Sequence, residues 1–165
     1  YFPSQAFHGG FGLMNLHGIA KPAYRAYQVL HGLGAELLAV KGSHPTVDVW
    51  VVRGGDAVTV LLCNFALPRH TIANETVHLR LDCKVPPLSA DITRIDAKHA
   101  NAKALWLKMG APEYLDADQV AALSAASEMQ SATQPVFHQA GMLVCDVTVP
   151  PLGVAAIRLE FSASV

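Results

Sequence analysis

Charge is scarce in this sequence, and neither sign prevails. Only 15% of the 165 residues are Asp, Glu, Lys or Arg, twelve basic against thirteen acidic, for a formal net charge of −1. No basic run of the nucleic-acid type occurs, so DNA and RNA are excluded as partners. The apolar runs are broken by charge or glycine before they reach membrane-spanning length, so no transmembrane helix is expected. The N-terminus lacks the charged-then-apolar pattern of a signal peptide. The three cysteines, Cys63, Cys83 and Cys145, form no CxxC pair and have no histidine at metal-ligand spacing. Each lies in an apolar, strand-like run, which reads as buried free thiols, against one disulfide with a spare thiol, and favours a cytoplasmic setting. The N-terminal glycines lack GxGxxG spacing and a following Lys-Ser/Thr, so no nucleotide cofactor is expected. No GxSxG elbow or Cys–His pair is present for nucleophilic catalysis. No cofactor and no metal is expected.

The chain does contain 52% hydrophobic residues, enough for a large core, and they fall into two periodicities. Residues 1–20 read as a short strand and a glycine-rich loop, Phe7-His8-Gly9-Gly10-Phe11-Gly12-Leu13. Pro22 suits the first turn of a helix and Gly34 its C-terminal cap. Between them Tyr24, Tyr27, Leu30 and Leu33 recur at three-residue steps, with Arg25 and Gln28 pointing elsewhere. A strand, loop and helix in that order is the form of the last β/α unit of a parallel barrel. Alone, such a helix cannot bury its face.

Beyond Glu36-Leu37-Leu38 the period becomes two. Val47 to Val52 and Ala57 to Phe65, joined at Gly54-Gly55-Asp56, read as a hairpin. Glu75 to Asp82 alternates cleanly, with Val77, Leu79 and Leu81 inward and His78 and Arg80 outward. Ala90 to Asp96 is a further strand, and Ala97 to Leu115 reads as a long irregular connection that Trp106, Met109 and Tyr114 could pin. Asp116 as N-cap, Gln119 at the capping-box position and Leu115 with Val120 as a hydrophobic staple predict a helix fading near Met129. Met142 to Val149 and Val154 to Phe161, separated by Pro150-Pro151-Leu152-Gly153, read as an antiparallel pair. The expected fold is mainly β: an antiparallel β-sandwich with one packed helix, preceded by the last β/α unit of a (β/α)8 barrel. The boundary is placed between residues 1–34 and 35–165. With no initiator Met and an immediate entry into the glycine-rich loop, the chain reads as the end of a larger protein.

Chemistry-bearing residues are few. Among eight histidines, His8 and His17 flank the glycine-rich turn nine residues apart on irregular backbone, which makes no ligand pair, and His78 and His99 are isolated. The only glutamates are Glu36, Glu75, Glu113, Glu128 and Glu160, and each reads as a surface carboxylate and not as a barrel-strand acid. Asn74-Glu75-Thr76 matches a glycosylation sequon, relevant only to a secreted eukaryotic protein. Trp50 and Trp106 are the candidates for stacking on a sugar, against core or loop-pinning roles.

Phe7-His8-Gly9-Gly10-Phe11-Gly12-Leu13, with His17-Gly18-Ile19 and Lys21-Pro22-Ala23-Tyr24, resembles the segment that ends the catalytic barrel of glycoside hydrolase family 39, the β-xylosidases and their α-L-iduronidase relatives. The resemblance continues through Ile95-Asp96, His99-Ala100-Asn101, Trp106-Leu107-Lys108-Met109-Gly110-Ala111-Pro112-Glu113-Tyr114-Leu115 and Leu152-Gly153-Val154. It implies the C-terminal part of a retaining glycosidase acting on β-1,4-linked xylose, with a (β/α)8 catalytic domain followed by a β-sandwich. Its acid/base and nucleophile glutamates, on barrel strands four and seven, would lie upstream of Tyr1. No catalytic residue is therefore assigned here, and the chain alone is expected to be inactive. Phe7 and His8 match a loop at the barrel mouth and are the candidate substrate-binding residues. The implied partner is a xylo-oligosaccharide; a homo-oligomer is also considered. The competing expectation is a xylan-binding sandwich module without catalysis, using Trp50 or Trp106.

Overall fold

The computed structural model describes residues 6–7 and 11–162. Its elements are α1 (Pro22–His31), β1 (Glu36–Leu38), β2 (Val47–Gly54), β3 (Ala57–Asn64), β4 (Glu75–Asp82), β5 (Ser89–Ile95), α2 (Ala102–Lys108), α3 (Ala117–Ala126), β6 (Ser131–Thr133), β7 (Phe137–Gln139), β8 (Met142–Val149) and β9 (Val154–Glu160). They divide into two compact units, Tyr1–His31 with Ile95–Gln130, and Gly32–Arg94 with Ser131–Val165. The segment carrying α2 and α3 belongs to the first unit.

The second unit holds an antiparallel six-stranded sheet, order β1-β2-β3-β9-β5-β6, and a three-stranded sheet, order β4-β8-β7. The β2–β3 hairpin forms as expected, with Gly54 opposite Ala57. Gly55, first of its two loop residues, takes φ 60° as a primed turn demands. β3 lies in mid-sheet and is buried on both faces, whereas β4 at an edge alternates half-buried and exposed along its whole length. Val60, Leu62, Leu143, Val147, Val149, Ile157 and Leu159 form the centre of the core between the sheets. Each is at most 1% exposed, so burial of each contributes about 1.5–3 kcal/mol.

The expected pairing of the last two strands does not occur. β8 pairs with β4 and β7, and β9 pairs with β3 in the other sheet. The Pro150–Gly153 turn carries the chain across the core: two prolines cannot donate ladder bonds, and a Cβ on Gly153 would meet the Pro150 carbonyl oxygen at 2.9 Å. Asn64 fastens this corner. Its backbone N–H donates to Gly153 (3.0 Å), and its buried side-chain amide donates to the carbonyls of Ala73 (2.8 Å) and Val149 (3.0 Å). Gly34 also differs from expectation. It is not a left-handed cap but a point of close approach, where a Cβ would lie 2.0 Å from the Arg53 carbonyl oxygen.

In the first unit α1 ends at His31, and its buried position is Arg25, not the tyrosine–leucine face. Tyr27 and Leu30 are 61% and 50% exposed. The capping box on α3 is present in full: the Asp116 side chain accepts from the Gln119 N–H, and the Gln119 side chain accepts from the Asp116 N–H. Leu115, Val120 and Leu123 pack on the core of Ala6, Phe7, Ile19, Ala102 and Trp106, so α3 belongs with the first unit's core rather than the sandwich's. Within the span read as irregular lies α2, closed by two bonds: Gly110 N–H to Leu107, and Ala111 N–H to Trp106. With Gly110 at φ 88° this is a Schellman closure.

Replacing Asn64 with Ala strands the carbonyls of Ala73 and Val149 and should cost about 1–3 kcal/mol in urea unfolding. Asn64→Asp, which turns a carboxylate toward those two oxygens, should cost more. Equal stability of wild type and both variants would remove Asn64 from this role.

Candidate functional site

The sequence places its candidate site in the first unit. There, Asn15 organises the loop before α1. Its side-chain oxygen accepts from the N–H groups of His17 and Ile19 (both 2.9 Å), and its backbone N–H donates to the Ile19 carbonyl (3.0 Å). With Gly18 at φ 74° this folds the segment back on itself, so that Met14 bridges Ala20 and the Lys21 N–H reaches Leu13. The Lys21 ammonium donates to the Phe11 carbonyl. Phe11 itself is 81% exposed.

Phe7, one of the two expected sugar contacts, is buried at 6% exposure, with its ring 5.6 Å from that of Trp106 at 50°. A tilted aromatic pair of this kind contributes about 0.5–1.5 kcal/mol beyond its buried area. His8, the other, lies outside the described residues. Trp106 is also 6% exposed, and its indole N–H donates to the Pro112 carbonyl at 3.0 Å. It therefore pins the segment after α2 and is not available to stack on a sugar. Trp50, on β2, is 40% exposed.

Beside this core, the Arg25 guanidinium meets the C-terminal end of α3. Nε donates to the Ser127 carbonyl (2.7 Å), and the two terminal nitrogens reach Gln28 Oε1 (2.7 Å), Ser127 Oγ (3.2 Å) and Glu128 Oε1 (2.5 Å). A cation at a helix C-terminus is favoured by the backbone dipole, and the planar fork satisfies several acceptors at once. Sequence reading missed this because an arginine on an apolar-periodic helix reads as its solvent side. Only the Ser127-Glu128 pair at the end of α3 hinted at a partner.

The glutamates serve structure. Glu36 pairs with Arg53 (3.3 Å), Glu75 with His44 (3.4 Å), Glu128 with Arg25 (2.5 Å) and Glu160 with Arg158 (2.6 Å), while Glu113 is exposed. None of these pairs brings two carboxylates together as glycoside hydrolysis needs. Among the described residues no three His, Cys, Asp or Glu side chains gather as a metal set.

Asp96 is a carboxylate with a displaced acidity. Burial pushes it up, but the N–H groups of Lys98 and His99 and the His99 ring outweigh burial and hold it below the usual carboxylate range. The N–H donors lie at 2.7 and 3.0 Å, and the ring nitrogen at 2.9 Å. This knot, with the Asn101 amide on the Asp96 carbonyl at 3.3 Å, shapes the approach to α2. Burial acts in the same direction at Cys63 and Cys145, but there nothing outweighs it: it raises both thiols, with the neighbouring charges of Asp48 and Asp146 adding to it.

Comparison with known proteins assigns the class. The model of glycosyl hydrolases family 39 matches residues 2–144, and the chain belongs to that family. It is 37% identical over 161 residues to a beta-xylosidase of Caldicellulosiruptor saccharolyticus, covering 95% of this chain and 33% of the relative. It is 29% identical over 142 residues to a beta-xylosidase of Geobacillus stearothermophilus, covering 82% and 27%. The crystal structure of a monomeric beta-xylosidase from Caulobacter crescentus CB15 superposes with a TM-score of 0.79 at 26% identity, over 98% of this chain and 35% of that one. The chain thus spans about a third of the length of these relatives.

Asp96 sets an acid limit. Its depressed folded value means its stabilisation is complete above the unfolded value of about 3.9 and is lost as pH falls through the folded one. Unfolding followed by circular dichroism should show wild type losing more stability than Asp96→Asn between about pH 4 and pH 2. Parallel profiles for the two proteins would refute the assignment.

Proposed function

We propose that this chain is the C-terminal part of a retaining glycosidase that hydrolyses β-1,4-xylosides, and that its own role is mainly to support the catalytic barrel. The observation that carries this is the family match over residues 2–144 in a chain about a third as long as its beta-xylosidase relatives. Retaining hydrolysis uses two carboxylates about 5–5.5 Å apart, one as nucleophile and one as acid/base. The glutamates here are engaged with cationic or imidazole groups or lie exposed, so both catalytic carboxylates would come from the rest of the polypeptide. Residues 1–34 supply the last strand, loop and helix of the barrel in this reading. The exposed Tyr27 and Leu30 of α1 are then the surface that the remainder of the barrel covers. Within the loop, His8 is the residue brought to the sugar and Phe7 its anchor.

A sugar-binding role for the sandwich now rests on Trp50 alone, the half-exposed indole on β2.

Two measurements separate these readings. The 165-residue chain should give no turnover of a chromogenic β-xyloside, whereas the protein of the complete reading frame should turn it over; activity of the short chain would overturn the support reading. On gels containing soluble xylan the chain should migrate as on plain gels; retardation abolished by Trp50→Ala would establish the binding module instead.

A further inference from the structure

Side chains that accept from backbone N–H groups a few residues ahead close the chain at several points. Asn15 takes those of His17 and Ile19, Asp96 those of Lys98 and His99, and Asp116 that of Gln119. In the segment between β1 and β2 the same task falls to an imidazole. His44 Nδ1 accepts from the N–H groups of Thr46 (3.2 Å) and Val47 (3.1 Å). Amide and carboxylate oxygens keep a lone pair when the solution turns mildly acidic, and an imidazole nitrogen does not.

The two backbone donors fix the neutral tautomer, with the lone pair on Nδ1 and the proton on Nε2. Nε2 faces Glu75 Oε2 at 3.4 Å, at the start of β4, as that tautomer requires. A second proton has only Nδ1 to occupy, where it would confront two N–H donors. Thr46 Oγ1, 3.5 Å from Nδ1, is too distant to receive it well. Glu75 favours the imidazolium, but the pair is 34% and 30% exposed and solvent screens it. Lys41, Asp48 and His78 line the same cleft and make no ion pair or hydrogen bond with the ring. The turn sits at a structural junction. Val47, 4% exposed, begins β2 opposite Asn64, and the Thr46 carbonyl accepts from the Phe65 N–H at 2.7 Å. His44 thus ties the entry to the larger sheet to the first residue of the smaller one.

We propose that His44 is a proton-operated tie: neutral, it closes the turn at residues 44–47 and holds it to β4; protonated, it leaves and the entry to β2 opens. The closed turn has no place for the second proton, whereas a released imidazole takes one near pH 6.5. Acid therefore favours the open form, and the closed form returns as pH rises. A proton bound by the open form alone raises the opening equilibrium about 30-fold between pH 8 and pH 5. The remainder of β2 stays paired with β3, so the opening is local.

Residue-resolved hydrogen exchange on the protein of the complete reading frame, corrected for intrinsic rates at pH 8 and pH 5, tests this. Protection of the Thr46 and Val47 amides should fall about 30-fold at pH 5, while that of Val60 in mid-sheet should hold. His44→Asn keeps an acceptor in the turn but cannot take the proton, and should abolish the fall. Glu75→Gln should retain it. Equal protection of Thr46 and Val47 at the two pH values in the wild type would overturn the proposal by itself, whether or not a variant folds. So would the same fall in His44→Asn, or its loss in Glu75→Gln.

Discussion

The sandwich depends on one buried amide. A β-sandwich needs its sheets held in register while the chain passes between them, and a hydrophobic core alone is indifferent to small slides. Asn64 removes that freedom. It stands at the end of β3 in the larger sheet, yet its side chain binds the carbonyl just before β4 and the one ending β8, both in the smaller sheet. Its backbone N–H takes the first carbonyl after the proline turn. Three chain passages are thereby fixed at one residue that is 1% exposed, where dielectric screening is weak and each bond is worth more than at the surface. Removing it would leave the core residues intact but their mutual alignment unspecified.

The first unit answers the same problem with charge. Its core is small: one aromatic pair, Phe7 with Trp106, and a few aliphatic side chains. The Arg25 guanidinium joins α1 to the end of α3, satisfying a carbonyl, a hydroxyl and a carboxylate. A buried arginine is costly to desolvate and is tolerated here because its donors are matched and a helix C-terminus faces it. The Glu128 carboxylate, 61% exposed, contributes less than the nearly dry Ser127 contacts.

Long elements were legible in the sequence, and short ones were not. β4 and β8 carry eight residues of alternation and stand where the pattern puts them; the α3 capping box is local chemistry that needs no tertiary context. β6 and β7, three residues each, cannot show a period. The β7–β8 turn was invisible because Ala140, not Asn or Asp, takes the left-handed conformation before Gly141. The pairing of β9 with β3 was illegible for a different reason: nearness in sequence favours β8, and only the sheet-crossing prolines argue otherwise. At the candidate site the glycine-rich loop identified the family, but burial of Phe7 and Trp106 depends on partners about a hundred residues apart, which periodicity does not report.

A family signature and a family's chemistry need not share a segment. Several residues that carry the resemblance shape backbone: Gly18 in its turn, Asp96 and His99 in their knot, Gly110 in the Schellman closure and Gly153 in the proline corner. Their side chains or conformations set the path of the backbone, so they mark the fold. The carboxylates show the converse. Four of the five glutamates answer a basic side chain, and none of those pairs brings two carboxylates together as glycoside hydrolysis needs. What the chain shows is position: a loop before α1 folded back by Asn15 and a sandwich whose alignment is set by Asn64.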